Sequence, residues 1–295
     1  MSTGDQVIYL DSGGLQRRYI LHAPPAYDAA RAWPLLLMLD GRGGTPWTAM
    51  KIAGWNRKAD ACGFIVAYPE ATKLNPHGPQ HFLDNPQMWN AGPGGSDTER
   101  NGPDDVHFLR DAIADICGKF NVDRDRIFMA GFSNGASMTF RFALEAQELV
   151  AAIACLSGHF RSPGLALREV IPLIYFFGEA DPLSPFRGGE VQLPWGGTET
   201  RTSAQFSVDS WLDLLGLGRE PTAEISENGV TKKIYGPRDD GAEVHFYSID
   251  DLGHVWPGGH RLLPEIIAGN ESHKVIANDV IWDFFSARPK RRLQS

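Results

Sequence analysis

The sequence feature that most constrains the fold is a series of short apolar runs with no polar interruption. They lie at residues 35–39, 64–68, 127–130, 152–156 and 173–177. A strand that is apolar along its whole length is buried on both faces, which is typical of a parallel sheet with helices above and below it. The runs therefore predict a sheet that forms the middle layer of the molecule.

The segments between these runs are long enough to form crossover helices. Residues 104–120 carry apolar side chains at a spacing close to 3.6 residues, as one face of a helix does. Further helices are predicted at residues 47–62, 134–147, 203–215 and 273–285. Strands that alternate with helices predict an α/β fold with a mostly parallel central sheet and helices on both faces.

The N-terminal segment has a different pattern. Residues 7–10 and 18–22 are rich in strand-forming residues and flank the turn-forming sequence Ser12-Gly13-Gly14. This arrangement predicts an antiparallel hairpin ahead of the parallel sheet.

Two long segments lack any helix or strand pattern. Residues 69–103 are rich in Pro, Gly and Asn, and residues 182–202 form a second irregular segment. Loops of such length usually have a function or are disordered. Because no repeat, linker or shift in composition divides the chain, we predict a single catalytic domain over residues 1–295, ending in a basic tail at 288–295.

The distribution of charge limits the possible partners. The chain has 28 basic and 36 acidic side chains, a net charge of −8, and its basic cluster Lys290-Arg291-Arg292 lies at the C-terminus. Binding to nucleic acid or to an anionic membrane needs clustered Lys and Arg, so neither partner is predicted. The chain also has no apolar stretch of the roughly 18 residues that a membrane helix needs.

The cysteines and the N-terminus bear on location. Cys62, Cys117 and Cys155 lie among apolar neighbours and form no CxxC pair. We interpret them as free core thiols of a cytoplasmic protein, and no signal-peptide pattern opens the sequence. The alternative is one disulfide and one free thiol in a secreted or periplasmic protein whose signal peptide is missing from this sequence.

A candidate nucleophile lies between a predicted strand and a predicted helix, in Gly131-Phe132-Ser133-Asn134-Gly135. A serine in such a tight turn needs small residues two positions before and after it, and its hydroxyl then projects above the sheet edge. The turn also directs the Asn134 amide, at the helix N-terminus, toward a developing negative charge. The alternative interpretation is an ordinary glycine-rich turn between strand and helix.

A serine hydroxyl needs a general base that is itself oriented by a carboxylate. In this type of fold the chain order is serine, acid, histidine. Asp181 follows the predicted strand 173–177 and is the candidate acid, with Glu179 and Asp209 as rivals. Glu179 lies nearer the strand, and Asp209 belongs to a predicted helix.

The candidate base is His254, which follows residues 244–250, a segment that alternates like a strand. His159 is the main competitor, although it precedes the acid in chain order, and His260 is a weaker one. His77 and His81 could hold a metal only on a helix, but Gly78-Pro79-Gln80 between them is not helical. No metal site is predicted.

Further candidates complete the site. The strand at residues 35–39 leads into Asp40-Gly41-Arg42-Gly43-Gly44, where the backbone of Arg42 is the best candidate for a second oxyanion amide. Phe132, Trp256 and Trp89 are the candidate substrate-binding aromatics. The alternative for Trp89 is that it anchors the long loop to the core.

Several motifs together resemble one known family. They are Gly-Phe-Ser133-Asn-Gly, Asp104-Asp105-Val106-x-Phe108, Val122-Asp123-x-x-Arg126-Ile127, Gly178-x-x-Asp181-Pro182 and Gly253-His254-x-Trp256-Pro257-Gly258-Gly259. The chain is similar, from about Tyr19 to Phe285, to the esterase/polyhydroxybutyrate depolymerase group of the α/β-hydrolase superfamily, which includes bacterial feruloyl and acetylxylan esterases. The resemblance implies an α/β-hydrolase fold and no cofactor.

The same resemblance implies a catalytic triad of Ser133, Asp181 and His254, with the Asn134 amide in the oxyanion hole. The sequence departs from the family pattern in having Asp40-Gly41 where members usually have His-Gly. It also lacks the disulfides and polymer-binding module of many secreted members, which favours soluble esters or oligomers over an insoluble polymer.

We therefore predict a serine-dependent carboxylic ester hydrolase that acts through an acyl-enzyme. Its expected substrates are small or oligomeric soluble esters such as feruloyl, acetyl or hydroxyalkanoate oligomer esters. The alternatives are a polyhydroxybutyrate depolymerase acting on polymer, a peptidase of the same fold, a non-catalytic binding protein on a hydrolase fold and, most remotely, a metal-dependent hydrolase.

Overall fold

A computed structural model describes residues 3–92 and 102–290 of the chain. Residues 93–101 of the predicted long loop and residues 291–295 of the predicted basic tail lie outside this range, so the single-domain boundaries stay a prediction. The strands, in chain order, are β1 (Gly4–Ser12), β2 (Leu15–Ala23), β3 (Trp33–Leu39), β4 (Ile65–Pro69), β5 (Thr72–Lys73), β6 (Gln87–Met88), β7 (Val122–Phe132), β8 (Ala152–Leu156), β9 (Leu173–Gly178), β10 (Gly189–Gln192), β11 (Thr198–Arg201), β12 (Ala223–Glu227), β13 (Val230–Tyr235) and β14 (Val244–Ile249).

The helices alternate with the strands of the central part of the chain. They are α1 (Pro46–Ala53), α2 (Trp55–Cys62), α3 (Asp105–Lys119), α4 (Asn134–Glu145), α5 (Ala204–Leu215), α6 (Glu265–Ala268) and α7 (Ala277–Ser286). None of the helices within the described ranges is both long and apolar enough to cross a membrane.

One large sheet organises the fold. Its strand order is β1-β2-β4-β3-β7-β8-β9-β14-β13-β12. The six strands from β4 to β14 are mutually parallel, whereas β1 and β2 on one side and β13 and β12 on the other join antiparallel. The prediction of a mostly parallel sheet with an N-terminal antiparallel hairpin is confirmed.

Both faces of this sheet are covered by helices. In β3, Leu35, Leu37 and Leu39 belong to one apolar cluster, to which α3, α4 and α5 contribute. Leu36 and Met38 belong to a second cluster, with residues of α1, α2 and α7. Because successive strand residues point to opposite faces, burial on both sides explains the absence of polar residues from these strands.

The structure corrects several predicted elements. The helix predicted at residues 47–62 is two helices, because Gly54 has φ 64° and ends α1 before α2 begins. The segment 182–202 is not wholly irregular, since β10 and β11 form a hairpin in it, and β5 pairs with β6 inside the long loop. The last helix begins at Ala277 rather than at residue 273.

The cysteines are all free. Cys155 is buried in β8 and Cys117 is half-buried in α3, as expected of core thiols, but Cys62 is exposed at the end of α2. The prediction that all three lie in the core is therefore wrong for Cys62, because the last turn of this short helix faces solvent.

Candidate active site

Ser133 occupies a strained turn between β7 and α4. Its backbone angles are φ 54° and ψ −121°, in a region that a non-glycine residue adopts only when its surroundings enforce it. A Cβ at Gly131 would lie 2.3 Å from the carbonyl oxygen of Gly135, and a Cβ at Gly135 would lie 2.4 Å from that of Leu39. Both glycines are needed because backbone from neighbouring elements occupies the space of a side chain.

His254 connects Ser133 with Asp181. Its Nε2 lies 2.8 Å from Ser133 Oγ, and its Nδ1 lies 2.7 Å from Asp181 Oδ2. The Asp181 side chain is fully buried and that of His254 nearly so. The structure thus brings the three predicted residues, 121 positions apart at most, into one hydrogen-bonded chain.

The loop after β9 holds the Asp181 carboxylate in place. Its Oδ1 accepts hydrogen bonds from the backbone N–H groups of Leu183, at 2.9 Å, and Ser184, at 2.8 Å. With Oδ1 occupied, Oδ2 is directed to the imidazole of His254. This arrangement favours the tautomer in which His254 donates from Nδ1 and accepts from the serine at Nε2.

The rival acids have other partners. Glu179 accepts a hydrogen bond from Ser248 Oγ at 2.7 Å. Asp209 lies on α5 and pairs with Arg219 at 3.1 Å. Neither carboxylate contacts His254 among the hydrogen bonds and ion pairs of residues 3–92 and 102–290, so the structure favours Asp181.

Among the described residues, the imidazole hydrogen-bonded to the Ser133 hydroxyl is that of His254 and not that of either rival histidine. His159 is buried in the wall of a polar cavity that also contains Ser133 and His254, and its Nδ1 lies 3.4 Å from Thr202 Oγ1. Burial, and then the nearby positive charges of Arg161 and Arg201, lower the pKa of His159 well below its ordinary value. His260 lines a second, apolar cavity that also contains Ser133 and His254, but it makes no hydrogen bond to the serine among the described residues.

The two predicted oxyanion amides belong to segments that meet at Ser133. Asn134 is the first residue of α4. Its side chain is held by the backbone of Trp89, with the Trp89 N–H donating to Asn134 Oδ1 at 2.7 Å. On the other side, a Cβ at Gly41 would lie 3.0 Å from Ser133 Cβ, so the loop that carries Arg42 packs against the serine.

Asp40, at the position where the resembling family has histidine, organises that loop. Its Oδ1 accepts the Gly41 N–H at 2.8 Å and its Oδ2 accepts the Thr48 hydroxyl at 2.5 Å. Burial raises the pKa of Asp40 to about 6, although these hydrogen bonds act in the opposite direction. The Asp40 carboxylate therefore supports the loop through these two hydrogen bonds.

The predicted substrate-binding residues divide into two groups. Phe132 and Trp256 line an apolar cavity next to Ser133. Trp89 lines neither this cavity nor the polar cavity beside it. It is 1% exposed, its ring stacks on Phe108, and its Nε1 donates to the Asp40 carbonyl at 3.0 Å. The prediction that Trp89 binds substrate is not supported, because its ring anchors the long loop to the core.

Three further residues lie near the serine and were not predicted from the sequence. Gly158, after β8, packs against the Ser133 backbone, and Arg161 and Arg201 line the polar cavity. The signal for Gly158 and Arg161 was present, since both follow the end of a buried strand that neighbours β7. Arg201 ends β11, which no pattern predicted.

A comparison with protein families decides the classification. The model of the phospholipase/carboxylesterase family matches residues 28–193, more than half of the chain, including β3 to β9 and Ser133. The chain belongs to this family of α/β-hydrolases.

Two proteins that are similar in sequence to this chain carry the names of esterases, which agrees with its membership of the phospholipase/carboxylesterase family. The chain is 29% identical over 287 residues to "Putative esterase NocK" of Nocardia uniformis subsp. tsuyamanensis, covering 92% of this chain and 79% of that protein. It is 27% identical over 251 residues to feruloyl esterase B of Piromyces equi, covering 81% of this chain but only 42% of that protein.

The solved structures agree on the fold of this carboxylesterase-family chain. The acetyl xylan esterase of Aspergillus awamori superposes with a TM-score of 0.64 at 14% identity, over 95% of this chain and 99% of that one. At this identity the similarity extends to the architecture alone.

Proposed function

We propose that this protein is a serine esterase that hydrolyses soluble carboxylic esters through an acyl-enzyme. The observation that carries the proposal is the hydrogen-bonded chain from Asp181 through His254 to Ser133, which ends on a strained turn at the C-terminal edge of a parallel sheet. Membership of the phospholipase/carboxylesterase family supports the same reaction class.

In the proposed acylation step, Ser133 Oγ attacks the ester carbonyl carbon while His254 Nε2 takes its proton. Asp181 keeps the imidazole oriented and stabilises its positively charged form. The negative charge that develops on the carbonyl oxygen is stabilised by the backbone N–H groups of Asn134 and Arg42. His254 then protonates the departing alcohol, and the acyl group stays on Ser133.

Deacylation repeats these roles with water. His254 removes a proton from a water molecule as it attacks the acyl carbon, and the proton returns to Ser133 Oγ when the carboxylic acid leaves. All groups used are side chains and amides of this chain, so the scheme needs no cofactor.

The substrates we propose are soluble esters with feruloyl, acetyl or hydroxyalkanoate groups. The names of similar proteins, among them feruloyl esterase B and a bifunctional acetylxylan esterase/xylanase of Neocallimastix patriciarum, support the feruloyl and acetyl groups. The apolar cavity of about 250 Å³ beside Ser133, lined by Phe132, Trp195 and Trp256, would accept an aromatic or short aliphatic group.

Hydrolysis of 4-nitrophenyl acetate by the purified protein tests the proposal. Ser133→Ala should lower kcat by about four orders of magnitude or more, because the nucleophile is lost while the cavities remain. Ser226→Ala, an exposed serine on β12, is the matched control and should retain wild-type activity. Equal activity of Ser133→Ala and the wild type would refute the proposal.

A second assay separates the esterase from a peptidase of the same fold. The esterase should hydrolyse methyl ferulate or 4-nitrophenyl esters and leave peptide 4-nitroanilides of similar size uncleaved. Rapid cleavage of the anilides would contradict an esterase assignment while keeping the serine mechanism.

A further inference from the structure

A buried tryptophan of the long loop contacts both segments that carry the proposed oxyanion amides. Trp89 is 1% exposed and lines neither of the two cavities at Ser133. It is hydrogen-bonded to Asp40, two positions before Arg42, and to Asn134, the first residue of α4. Its position therefore relates two amides that come from distant parts of the sequence.

The peptide group between Asp40 and Gly41 is held at both of its polar atoms. Its carbonyl oxygen accepts a hydrogen bond from Trp89 Nε1 at 3.0 Å, and its N–H donates to Asp40 Oδ1 at 2.8 Å. A peptide group is planar, so hydrogen bonds at both ends set the orientation of the whole group. The direction of the next N–H, that of Arg42, then depends on the two backbone dihedral angles of Gly41.

The side-chain amide of Asn134 forms a pair of hydrogen bonds with the backbone of Trp89. The Trp89 N–H donates to Asn134 Oδ1 at 2.7 Å, and Asn134 Nδ2 donates to the Trp89 carbonyl at 3.2 Å. The two partners identify the oxygen and the nitrogen of the amide, because an N–H needs an acceptor and a carbonyl needs a donor. Since the backbone N–H of Asn134 points out of the start of α4, a fixed side chain also fixes the direction of that N–H.

The two segments that Trp89 joins also contact each other. A Cβ at Gly135 would lie 2.4 Å from the carbonyl oxygen of Leu39 and 2.5 Å from that of Asp40. The first turn of α4 thus packs directly on the end of β3, and Trp89 bridges the same two segments from the long loop. This arrangement couples the orientations of the two proposed oxyanion amides.

Two residues of α3 hold Trp89 in place. The Trp89 ring stacks on Phe108, with ring centroids 6.4 Å apart and planes inclined by 14°. The N–H of the next residue, Asn90, donates to Oδ2 of the fully buried Asp105 at 2.7 Å. Both residues belong to the sequence motif at 104–108, to which the catalytic steps assign no role. The motif therefore fixes the part of the long loop that contacts the oxyanion segments.

We propose that Trp89 is a positioning residue for ester hydrolysis, which holds the backbone amides of Asn134 and Arg42 in the direction that stabilises the oxyanion. Trp89 lines neither cavity, so it contributes to the transition state and not to substrate binding. This inference rests on the proposed esterase function and deepens it.

Removal of the indole N–H alone tests the link to Asp40. Site-specific replacement of Trp89 by 3-benzothienylalanine keeps the two fused rings and puts sulfur in the place of Nε1. For a 4-nitrophenyl ester, kcat should fall by about tenfold, because a misdirected oxyanion donor loses part of the roughly 100-fold or more that it supplies. KM should stay within about twofold of the wild type.

The same replacement at Trp33 is the matched control. Trp33 is also fully buried, and its Nε1 donates to the backbone carbonyl of Asp28 at 2.8 Å. It begins β3, at the edge of the parallel sheet opposite to Ser133. The control should keep the wild-type kcat, whereas an equal loss of kcat at both positions would overturn the inference.

Asn134→Ala tests the second link and keeps the backbone amide. It should lower kcat by about tenfold or more, with KM within about twofold of the wild type. Asn85→Ala is the matched control, because Asn85 makes the same pair of hydrogen bonds with the backbone of Asn75, at 2.7 and 3.0 Å. The Asn85 variant should keep the wild-type kcat. If either the Trp89 or the Asn134 change fails to give a folded protein, the other one decides.

A transition-state analogue shows whether the lost activity arises at the oxyanion. Benzyl trifluoromethyl ketone adds to a catalytic serine and forms a charged hemiketal, whereas benzyl methyl ketone stays a ketone. In both changed proteins the inhibition constant of the first compound should rise by the factor by which kcat/KM falls. That of the second should stay within about twofold. A loss of kcat with unchanged affinity for the trifluoromethyl ketone would overturn the inference.

The outcomes separate this inference from the esterase function. If ester hydrolysis depends on Ser133 but neither the Trp89 nor the Asn134 change lowers kcat, the positioning role is wrong and the esterase stands. If no ester is hydrolysed, or if Ser133→Ala keeps its activity, the esterase function is wrong and the positioning role fails with it.

Discussion

Gly158 lies so close behind Ser133 that a Cβ at position 158 would be 2.3 Å from the Ser133 carbonyl oxygen. The same Cβ would also lie 2.6 Å from Ala136 Cβ. The loop after β8 therefore supports the turn from below, while Gly41 approaches Ser133 from the strand on the other side. The strained backbone of the serine is held between two neighbouring loops.

Gly158→Ala adds only one methyl group but should impair catalysis strongly. The added methyl group must push the Ser133–Ala136 turn away, and a displacement of about 1 Å at a reacting group can cost about 100-fold in rate. We expect a kcat/KM loss near that size and a loss in free energy of unfolding of about 1–3 kcal/mol. Gly218→Ala, where a Cβ meets nothing within 4 Å, is the control. Wild-type kinetics of Gly158→Ala would contradict this account.

Asp181→Asn should show how much the carboxylate contributes to catalysis, because the variant keeps the base His254 but loses the charged group that orients it. The amide keeps the shape of the carboxylate but loses the negative charge and favours the wrong tautomer of His254, which costs about 10⁴-fold in kcat in a comparable triad. Glu179→Gln, two positions away and bonded to Ser248, should keep kcat within about twofold. Steady-state hydrolysis of a 4-nitrophenyl ester checks both, and a larger loss in the Glu179 variant would point to the rival acid.

Asp40 should make the stability of the protein depend on pH. Its pKa of about 6 in the fold is above the ordinary value of 3.8 because the carboxyl group is buried. The fold therefore favours the protonated form, and this contribution to stability is complete below about pH 4 and lost as the pH rises through 6.

Asp40→Asn removes this titration with little change in shape. The stability of the variant relative to the wild type should increase by about 2–3 kcal/mol between pH 4 and pH 7. Urea unfolding of both proteins at a series of pH values measures the difference, in which the other titrating groups cancel. A difference that stays constant with pH would show that Asp40 ionises as freely in the fold as in the unfolded chain.

Trp89→Phe should affect stability and not substrate preference. It leaves the Asp40 carbonyl without the indole donor and creates a small cavity beside Phe108, with an expected cost of about 2–4 kcal/mol. The relative kcat/KM values for acetyl, butyryl and feruloyl esters should stay as in the wild type. Trp256→Phe, in the wall of the apolar cavity, should alter those relative values.

The parts of the fold that could be predicted from sequence are those with strong local patterns. The apolar runs correspond to β3, β4, β7, β8 and β9, because burial on both faces leaves no place for a polar residue. The strands β12 and β13 were missed, since their mostly exposed or half-buried residues include many polar and charged side chains. The helix predicted at residues 47–62 is divided at Gly54, whose left-handed backbone conformation ends α1. The spacing of apolar residues does not reveal such a conformation.

In the candidate site, too, the residues with a clear local sequence pattern could be predicted and the others could not. The convergence of Ser133, Asp181 and His254 could be predicted because each follows the end of a strand whose pattern was clear. The position of Trp89 could not, because an aromatic residue in a long loop fits equally a cavity wall and an anchor in the core. Arg201 could not be predicted either, because it ends β11, a strand that no sequence pattern indicated, whereas Arg161 follows the end of β8, whose pattern was clear.

The central claim, that Ser133 is the nucleophile, is tested most directly by peptide mapping after reaction with a fluorophosphonate. Mass spectrometry should find one adduct per chain, on the peptide that contains Ser133, together with loss of esterase activity at the same rate. The Ser133→Ala variant should remain unlabelled. A stoichiometric adduct on another residue, or full activity in protein labelled at Ser133, would contradict the account.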